Sequence, residues 1–385
     1  MRKIKMGMVG GGQGAFIGAV HRMAAALDGQ IELVCGAFSS SAEKSKASGR
    51  ELYIDENRCY GSYEEMFEKE KILPESESMD FVSIVTPNDM HYPIASAALA
   101  NRFNVMSDKP ATFSLEEAYK LKEEVAKSGL FYGLTHNYTG YPMVKEAKAM
   151  IRAGKLGKIR KVVAEYPQGW LATLVESTGQ KQASWRTDPK RSGISGCMGD
   201  IGSHAENLLE YMTGLKITEV MADLTTFVEG RRLEDDGNVL LHLDHGAKGL
   251  LYASQISVGE ENGPQIRIYG EKGSLGWDQQ EPNKLTAKWL DAPMQVLKPG
   301  GNYGYFSDVT MYNTRLPAGH PEGYLEAFAN LYRNFASVIR ARLEGETPSE
   351  HDLDIPTIED GVRGMQFIET IVKSSKERSW LPMPS

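Results

Sequence analysis

The sequence predicts two domains, a doubly wound α/β domain with a parallel sheet and, behind it, an α+β domain with a large, mostly antiparallel open sheet. The chain has 385 residues, which is too long for one ordinary hydrophobic core. Residues 1–139 alternate short apolar runs with amphipathic stretches, as βα units do. Residues 140–385 consist largely of segments of alternating polarity separated by turns. We also expect that the C-terminal helices can pack back on the first domain.

The first domain alternates predicted strands with predicted helices. Its strands are Ile4–Val9, Ile31–Phe38, Phe81–Val85, Asn104–Met106 and Phe131–Thr135. Its helices run from Gly14 to about Leu27, from near Ser41, over His91–Ala100 and over Leu115–Lys127. The run Phe81–Val85 is apolar throughout except for one serine, which is typical of a strand that is buried on both faces of a parallel sheet.

The second domain begins with a predicted helix, Val144–Ile151, and ends with two more, Tyr324–Leu343 and about Thr357–Lys376. Between them lie the predicted strands Ile159–Tyr166, Ile217–Val228, Val239–Leu243, Gly249–Ser257, Gln265–Tyr269 and Ser274–Trp277. Their alternation predicts one packed face and one wetter face. Residues 172–199 are rich in Ser, Gly, Thr and Lys, which indicates a long functional loop.

Composition excludes several classes of protein. The formal net charge is −8 and no basic patch is visible, so we expect no nucleic-acid partner. The three cysteines, Cys35, Cys59 and Cys197, match neither a disulfide framework nor a zinc motif, and reduced thiols are typical of the cytoplasm. We find no secretory signal, no membrane span and no cluster with metal-ligand spacing. We therefore expect a cytoplasmic protein without a metal.

A glycine-rich turn lies between the first strand and the first helix. Its residues are Gly10-Gly11-Gly12-Gln13-Gly14-Ala15, which satisfy the dinucleotide fingerprint G-x-G-x-x-G/A. Glycines let backbone N–H groups approach a pyrophosphate, and the helix N-terminus favours its negative charge. Glycine turns without a ligand are common, but the position at the head of a series of βα units favours a Rossmann domain that binds NAD or NADP through Gly10, Gly12, Gln13, Gly14 and Ala15.

The end of the second strand bears on the choice between NAD and NADP. Phe38-Ser39-Ser40-Ser41 stands where an Asp or Glu would bind the ribose 2′-hydroxyl and repel a 2′-phosphate. Ser39, Ser40 and the nearby Lys44 tolerate a phosphate, which slightly favours NADP. Alternatively, Ser41 simply caps the next helix, and the choice of cofactor stays open.

Three further motifs follow in order: Thr86-Pro87-Asn88 with His91, then Asp108-Lys109-Pro110, then Gly199-Asp200-Ile201-Gly202-Ser203-His204. With the glycine turn, they resemble the glucose–fructose oxidoreductase / inositol dehydrogenase / rhizopine catabolism (Gfo/Idh/MocA) family over nearly the whole chain. The resemblance implies an N-terminal Rossmann domain, an α+β domain with an open sheet, and NAD(P)-dependent oxidoreductase activity. Two departures are a glycine turn about three residues longer, with Ala15-Phe16-Ile17 before Gly18, and Asp108 in place of the usual glutamate.

Oxidation of an alcohol needs a hydride acceptor, a base for the hydroxyl proton and a group that stabilises the developing alkoxide. Lys109 lies just beyond the carboxyl end of a parallel strand, where open α/β sheets bind ligands. Asp200 and His204 are four residues apart, which predicts one shared helix face, and histidine suits proton exchange near neutrality. From the residues alone, an N-cap role for Asp200 and a structural role for His204 are equally good explanations.

The resemblance implies that Lys109, Asp200 and His204 form the catalytic group. We assign His204 as acid/base, Lys109 as alkoxide stabiliser and proton partner, and Asp200 as the residue that orients substrate and histidine. Lys109 as the base remains an alternative. Further candidates for cofactor contact are Thr86, Pro87, Asn88, His91, Trp185 and Arg186, and for substrate contact Tyr138, Trp170, Arg186, Tyr303 and His320.

Three functions remain in competition. The leading hypothesis is a dehydrogenase or keto-reductase that acts on a sugar, glycoside or inositol. The second is an NAD-dependent glycoside hydrolase of the same fold, since some proteins that resemble this family cleave glycosides. The third is a non-catalytic dinucleotide sensor, which the presence of Lys109, Asp200 and His204 argues against.

We expect a homo-dimer or homo-tetramer that buries the free face of the open sheet.

Overall fold

The computed structural model describes residues 2–301 and 304–384. In these residues the strands are β1 Ile4–Gly10, β2 Ile31–Ala37, β3 Phe81–Val85, β4 Asn104–Ser107, β5 Tyr132–Leu134, β6 Ile159–Pro167, β7 Ile217–Thr225, β8 Asp236–Leu243, β9 Lys248–Ser254, β10 Gln265–Gly270, β11 Gly273–Asp278, β12 Leu285–Trp289, β13 Gln295–Leu297 and β14 Leu381–Pro382. The helices are α1 Phe16–Leu27, α2 Ala42–Glu51, α3 Tyr63–Glu70, α4 His91–Ala100, α5 Leu115–Ser128, α6 Pro142–Arg152, α7 Lys181–Arg186, α8 Pro189–Ser192, α9 Ser203–Thr213, α10 Asp308–Tyr312, α11 Tyr324–Leu343 and α12 Ile358–Glu377. Within the same ranges, none of the helices combines the length and apolar character needed to cross a membrane.

The chain divides into two compact units. The first comprises Met1–Asn137 with Tyr324–Val362, and the second Tyr138–Gly323 with Arg363–Ser385. The boundary predicted from sequence, 1–139 and 140–385, differs in two respects: residues 138–139 fall in the second unit, and residues 324–362 return to the first. The reason for this return is aromatic packing, because the ring of Phe335 on α11 lies 5.0 Å from that of Phe81 and 5.2 Å from that of Phe131.

The first unit contains the predicted parallel sheet. Its described strands are ordered β2-β1-β3-β4-β5, so the strand order reverses between β1 and β3, where such sheets bind ligands at the carboxyl ends of their strands. Gly10 pairs with Val85, and Ser107 pairs with both Ile84 and Leu134. The glycine turn, the Thr86 motif, the Lys109 motif and the residues after β5 therefore emerge at one edge of the sheet.

The second unit contains the predicted open sheet, ordered β13-β12-β11-β10-β6-β9-β8-β7-β14 in the residues described. Its pairs are antiparallel except β6 with β9, which run parallel. On β8, Gly237, Val239 and Leu241 are buried while Asn238 and Leu240 are exposed. This alternation leaves one face of the sheet open, as the sequence predicts.

Several short elements were not predicted from the sequence: α3, α10, β12, β13 and β14. The sequence of α3, YEEMFEKE, is mostly charged, and Ser62 begins the helix by accepting a hydrogen bond from the Glu65 N–H. The predicted loop over residues 172–199 holds the short helices α7 and α8. A weak apolar stripe and short length explain why periodicity misses such elements.

Candidate active site

The glycine turn is closely packed on one side and open on the other. A Cβ at Gly10 would lie 2.7 Å from the Val85 carbonyl oxygen, and one at Gly12 would lie 2.6 Å from that of Phe38. A Cβ at Gly14 would meet no atom within 4 Å, although the residue has φ +73°. The first two positions thus require glycine for packing, whereas Gly14 faces open space, as a turn that cradles a ligand should.

Polar contacts hold this turn in place. The Gln13 N–H donates to Ser48 Oγ at 3.1 Å, and the Gln13 side-chain amide donates to Glu51 Oε1 at 2.5 Å. Arg22 of α1 donates to the Gly11 carbonyl oxygen at 2.7 Å. The sequence analysis missed Arg22, Ser48 and Glu51, since each reaches the turn only through the packing of its helix.

Two of the serines after β2 form hydrogen bonds with backbone N–H groups close to them in the chain. Ser41 begins α2 by accepting from the Lys44 N–H at 3.4 Å, and the Ser41 N–H donates to Ser39 Oγ at 3.2 Å. The side chain of Ser40 and that of Lys44 are exposed. The helix-capping alternative for Ser41 is therefore correct, and none of these side chains is a carboxylate that would repel a 2′-phosphate.

Asp108 fixes the turn that carries Lys109. Its Oδ1 accepts from the Lys109 N–H at 2.9 Å and from the Thr135 hydroxyl at 2.8 Å, and the Lys109–Pro110 peptide is cis. These contacts tie the end of β4 to the residue after β5. The Asp108 carboxylate thus links the Lys109 backbone to the Thr135 side chain.

His136 is a neighbour of Lys109 that the sequence analysis missed. Its side chain lies directly after β5 and is 3% exposed. Its pKa is lowered to about 3, chiefly by burial and also by the Lys109 ammonium, while Asp108 partly opposes both effects. His136 therefore stays a neutral imidazole at physiological pH.

A buried polar chain lies beneath Asp108. The Ser83 and Tyr332 hydroxyls are 2.8 Å apart, and the Tyr332 hydroxyl is 2.7 Å from Nδ1 of His21. His21 Nε2 lies 4.0 Å from Asp108 Oδ1. Burial lowers the pKa of His21 to about 4 despite Asp108, so this histidine is neutral as well.

His91 links two of the predicted motifs. The residue is buried, with Nδ1 2.6 Å from the Pro110 carbonyl oxygen and Nε2 2.9 Å from that of Thr86. The ring therefore bridges the two motif-bearing turns, and both its nitrogens face backbone oxygens. The ring thus holds these turns together, and its contact with the cofactor stays a prediction.

In the second unit, Asp200 and His204 follow a different helix geometry from the one predicted. Met198–Gly202 is a π-helical turn, and α9 begins only at Ser203. The two residues are thus not on one continuous α-helical face, and the i, i+4 prediction is wrong in this respect. Glycines at 199 and 202 weaken the α-helix, and π turns of this kind occur often at functional sites.

Half-buried Glu234 anchors the start of that π turn. Its Oε1 accepts from the Ser195 hydroxyl at 2.5 Å, from the Gly196 N–H at 2.8 Å and from the Met198 N–H at 3.1 Å. Burial raises the pKa of Glu234, and these hydrogen bonds oppose the rise. The carboxylate thereby satisfies N–H groups at the start of the turn that have no partner within it.

Two donors hold the Asp200 carboxylate. Oδ2 accepts from Gln255 Nε2 at 2.9 Å and from Arg186 Nε at 3.2 Å. Gln255 follows β9 directly and is 3% exposed, and sequence reasoning missed it because nothing local marks it. The guanidinium of Arg186 also stacks on Trp185, 4.3 Å from the ring centroid.

His204 is buried against aromatic rings. The rings of Tyr138 and His204 pack edge to face, with centroids 4.9 Å apart. The Tyr138 hydroxyl lies 2.5 Å from that of Tyr166 and accepts from Asn262 at 3.2 Å. The Tyr138 hydroxyl is thus engaged within the protein, and its ring supports the imidazole. The predicted contact of Tyr138 with substrate stays a prediction.

The remaining predicted substrate residues are dispersed. Trp170 donates from Nε1 to Gln168 at 3.1 Å, at the start of the loop that leads to Arg186. His320 is exposed, with Nδ1 3.2 Å from the Pro317 carbonyl oxygen. Tyr303 lies outside the described residues. Over residues 2–301 and 304–384, no three His, Cys, Asp or Glu side chains are grouped so as to hold a metal ion.

Comparison with known proteins identifies the family. Residues 4–136 match an oxidoreductase family with an NAD-binding Rossmann fold, and residues 144–276 match the Gfo/Idh/MocA C-terminal domain. The chain belongs to the Gfo/Idh/MocA oxidoreductase family. This confirms the resemblance, the fold class, the oxidoreductase activity and the nicotinamide cofactor predicted from the sequence.

Three Gfo/Idh/MocA relatives cover nearly the whole chain. An uncharacterised oxidoreductase, YfiI of Bacillus subtilis, is 36% identical over 98% of this chain and 96% of its own. An inositol dehydrogenase homolog from Azotobacter vinelandii, solved with NAD+, is 36% identical, with a TM-score of 0.93 over 99% of this chain and 97% of its own. An oxidoreductase from Sinorhizobium meliloti is 42% identical, with a TM-score of 0.89 over 99% and 100%.

The first unit fits the dinucleotide that this family binds. Gly14 leaves open space above the turn, and the N–H groups at the start of α1 are those that bind a pyrophosphate in such folds. The buried hydroxyl of Thr86 has no hydrogen-bond partner among the described residues. A cofactor with phosphate and ribose oxygens would satisfy this group, since buried polar atoms are rarely left unpaired.

The open side of the turn allows a clean test of pyrophosphate binding. Asp and Asn both tolerate a positive φ, so Gly14→Asp and Gly14→Asn should perturb the backbone alike. The aspartate adds a negative charge beside the phosphates, and repulsion of about 4 kcal/mol at 4 Å in a partly shielded site is ample for the loss we expect. We expect Gly14→Asp to bind NAD roughly 10-fold or more weakly than Gly14→Asn, measured by calorimetric titration.

Equal affinities of the two Gly14 variants would place the pyrophosphate away from this turn. Gly12 is unsuitable for the same test, because a Cβ there would lie 2.6 Å from the Phe38 carbonyl oxygen. A side chain at Gly12 would shift the turn itself, which would confuse loss of packing with loss of binding.

Proposed function

We propose that this protein transfers a hydride between a nicotinamide dinucleotide and a ring hydroxyl or keto group of a sugar, glycoside or inositol. The observation that carries this proposal is the Asp200 carboxylate, which Gln255 and Arg186 hold in the turn that leads into His204. A dinucleotide sensor would need no such arrangement in the second unit. The likeness to an inositol dehydrogenase homolog, which was also solved with NADH and myo-inositol, supports a cyclic polyol as substrate.

Each residue of the proposed catalytic group has a separate task. When bound, the nicotinamide accepts the hydride. His204 takes the hydroxyl proton, and Tyr138 keeps its ring in place by edge contact. Lys109 stabilises the developing alkoxide with its positive charge, and Asp200 orients the substrate and the histidine. Lys109 as the base remains the alternative assignment.

The remaining proposed contacts follow from the geometry of each unit. In the first, we propose that Gly10, Gly12, Gly14 and Ala15 bind the pyrophosphate, while Thr86, Pro87 and Asn88 lie beside them at the sheet edge. Ser39, Ser40 and Lys44 face the adenosine ribose, where the lack of a carboxylate allows NADP as well as NAD. In the second, Trp170 offers an aromatic face to the C–H surface of a sugar ring.

A panel of sugars, glycosides and inositols with NAD and with NADP tests the proposed function. Reduction of the dinucleotide, followed at the nicotinamide absorbance, is expected with at least one cyclic polyol. Release of an aglycone without net reduction would instead support the NAD-dependent glycoside hydrolase. Absence of either reaction, with dinucleotide binding intact, would contradict the proposal and favour a sensor.

We also propose that the protein forms a homo-dimer or homo-tetramer through the open face of its second sheet. That face exposes Leu240 of β8 and Tyr269 of β10, and association would cover their apolar surface. Sedimentation equilibrium measures the oligomeric state.

The three free cysteines are buried and suit the reducing cytoplasm, where we place the protein.

A further inference from the structure

Arg231 lies in the turn between β7 and β8, and its side chain is 1% exposed. Its Nε and Nη2 donate to the two carboxylate oxygens of Glu176, each at 2.9 Å. Nη1 donates to the Leu171 carbonyl oxygen at 2.8 Å and to Asp235 at 3.1 Å, and Nη2 donates to the Thr173 carbonyl oxygen at 2.9 Å. One guanidinium therefore ties residues 171–176 to the sheet.

The same loop reaches the proposed catalytic carboxylate. It continues through α7 to Arg186, which donates to Asp200. At its other end, the Leu171 N–H donates to the Gln255 carbonyl oxygen at 3.0 Å, while the Gln255 side chain donates to Asp200. The Gln255 N–H in turn donates to the Asp235 carbonyl oxygen at 2.9 Å. Arg231, the loop and the Asp200 carboxylate are therefore connected through Asp235 and Gln255.

We propose that Arg231 is a positioning residue for substrate binding, which sets Asp200 and Arg186 by holding the loop of residues 168–187 on the sheet. The inference rests on the proposed function, because it assumes that Asp200 faces the substrate. A bidentate Arg–carboxylate pair fixes both distance and orientation. A buried pair of this kind also leaves an uncompensated charge if one partner is removed, so the loop keeps its place only while Arg231 is present.

The test compares Arg231→Met with Arg232→Met. Arg232 is the adjacent residue, but its side chain is 59% exposed, and it pairs with Asp188. In Arg231→Met, we expect faster hydrogen exchange over residues 171–186 and a loss of roughly 10- to 100-fold in kcat/KM for the polyol, as misplaced groups near a reacting centre cause. The Kd for NAD should stay within about twofold, because the affected contacts lie within the second unit. Arg232→Met should keep the wild-type exchange and kinetics.

Two further variants keep the proposal falsifiable if Arg231→Met does not fold. Glu176→Gln removes one of the two carboxylate charges that Arg231 pairs with, and leaves Asp235. It should therefore show the same pattern with a smaller amplitude. Arg231→Lys retains the charge without the planar fork and should recover part of kcat/KM. Faster exchange with unchanged kcat/KM in any of these variants, or equal losses in Arg232→Met, would overturn the proposal. A wild-type protein that oxidises no polyol would instead overturn the proposed function itself.

Discussion

Replacing His204 with alanine is expected to lower kcat for alcohol oxidation by roughly 10²–10⁴-fold, the usual effect of removing a positioned acid/base group. The expectation follows from the buried place of this imidazole against the Tyr138 ring, one turn after the Asp200 carboxylate. Affinity for NAD should change by less than about twofold, because the glycine turn lies in the other unit. Stopped-flow or steady-state reduction of NAD by the polyol found in the panel measures the loss.

The pH dependence of His204→Ala separates a catalytic role from a structural one. If His204 is the base, wild-type kcat/KM for oxidation falls on the acid side, where the imidazole is already protonated, and the variant loses this acid limb. Two other histidines cannot produce a limb near neutrality, since burial lowers the pKa of His136 to about 3 and that of His21 to about 4. Histidines with lowered pKa values take up protons only as the pH falls towards those values.

A matched control is His245→Asn, which changes an exposed histidine in the turn between β8 and β9. Asparagine tolerates its φ of 55°, so this variant should keep wild-type kinetics. Near wild-type turnover in His204→Ala, with an unchanged acid limb, would make His204 a structural residue and transfer the role of base to Lys109.

Replacing Lys109 with methionine is the second change with a large expected effect. Methionine keeps most of the side-chain length but removes the positive charge that we propose to stabilise the alkoxide. We expect kcat to fall by roughly 10²–10⁴-fold, with folding unchanged because the Asp108 contacts to the backbone and to Thr135 remain. If Lys109 and His204 act on the same proton, the double variant should lose less than the product of the single losses.

A spectroscopic signal accompanies the loss of Lys109. The ammonium lowers the pKa of His136, so this pKa should rise in Lys109→Met, as measured by NMR of the imidazole. Lys120→Met, which removes an exposed lysine paired with Glu116 on α5, serves as the control and should leave both kcat and the His136 titration unchanged. A small kcat effect in Lys109→Met, despite a shifted His136 pKa, would leave the lysine an electrostatic neighbour without a part in catalysis.

Sequence reasoning was most successful where function depends on the local chain. The glycine turn between β1 and α1 needs small residues at fixed positions, and Lys109 follows directly from the end of a buried strand. Helix α11, Tyr324–Leu343, was predicted with the bounds that the structure shows, because a long amphipathic stretch has a clear period. Asp200 was recognised from its motif, but the π turn that carries it was not, since periodicity does not distinguish i+5 from i+4 hydrogen bonding over one turn.

The sequence by itself determined the order of the longer strands and helices, the class of each sheet, the glycine turn and the family motifs, because residues close together in the chain mark each of them. Only the tertiary structure decided that residues 324–362 belong to the first unit, that His91 bridges two turns, and that Gln255 and Arg231 hold Asp200 and its loop. Arg231 stands in the run Arg231-Arg232-Leu233-Glu234-Asp235-Asp236, which is typical of a solvated surface. Its side chain is buried because the carboxylate of Glu176, 55 residues away in sequence, joins that of nearby Asp235 around the guanidinium. The pairing with Glu176 forms only when the fold brings distant segments together.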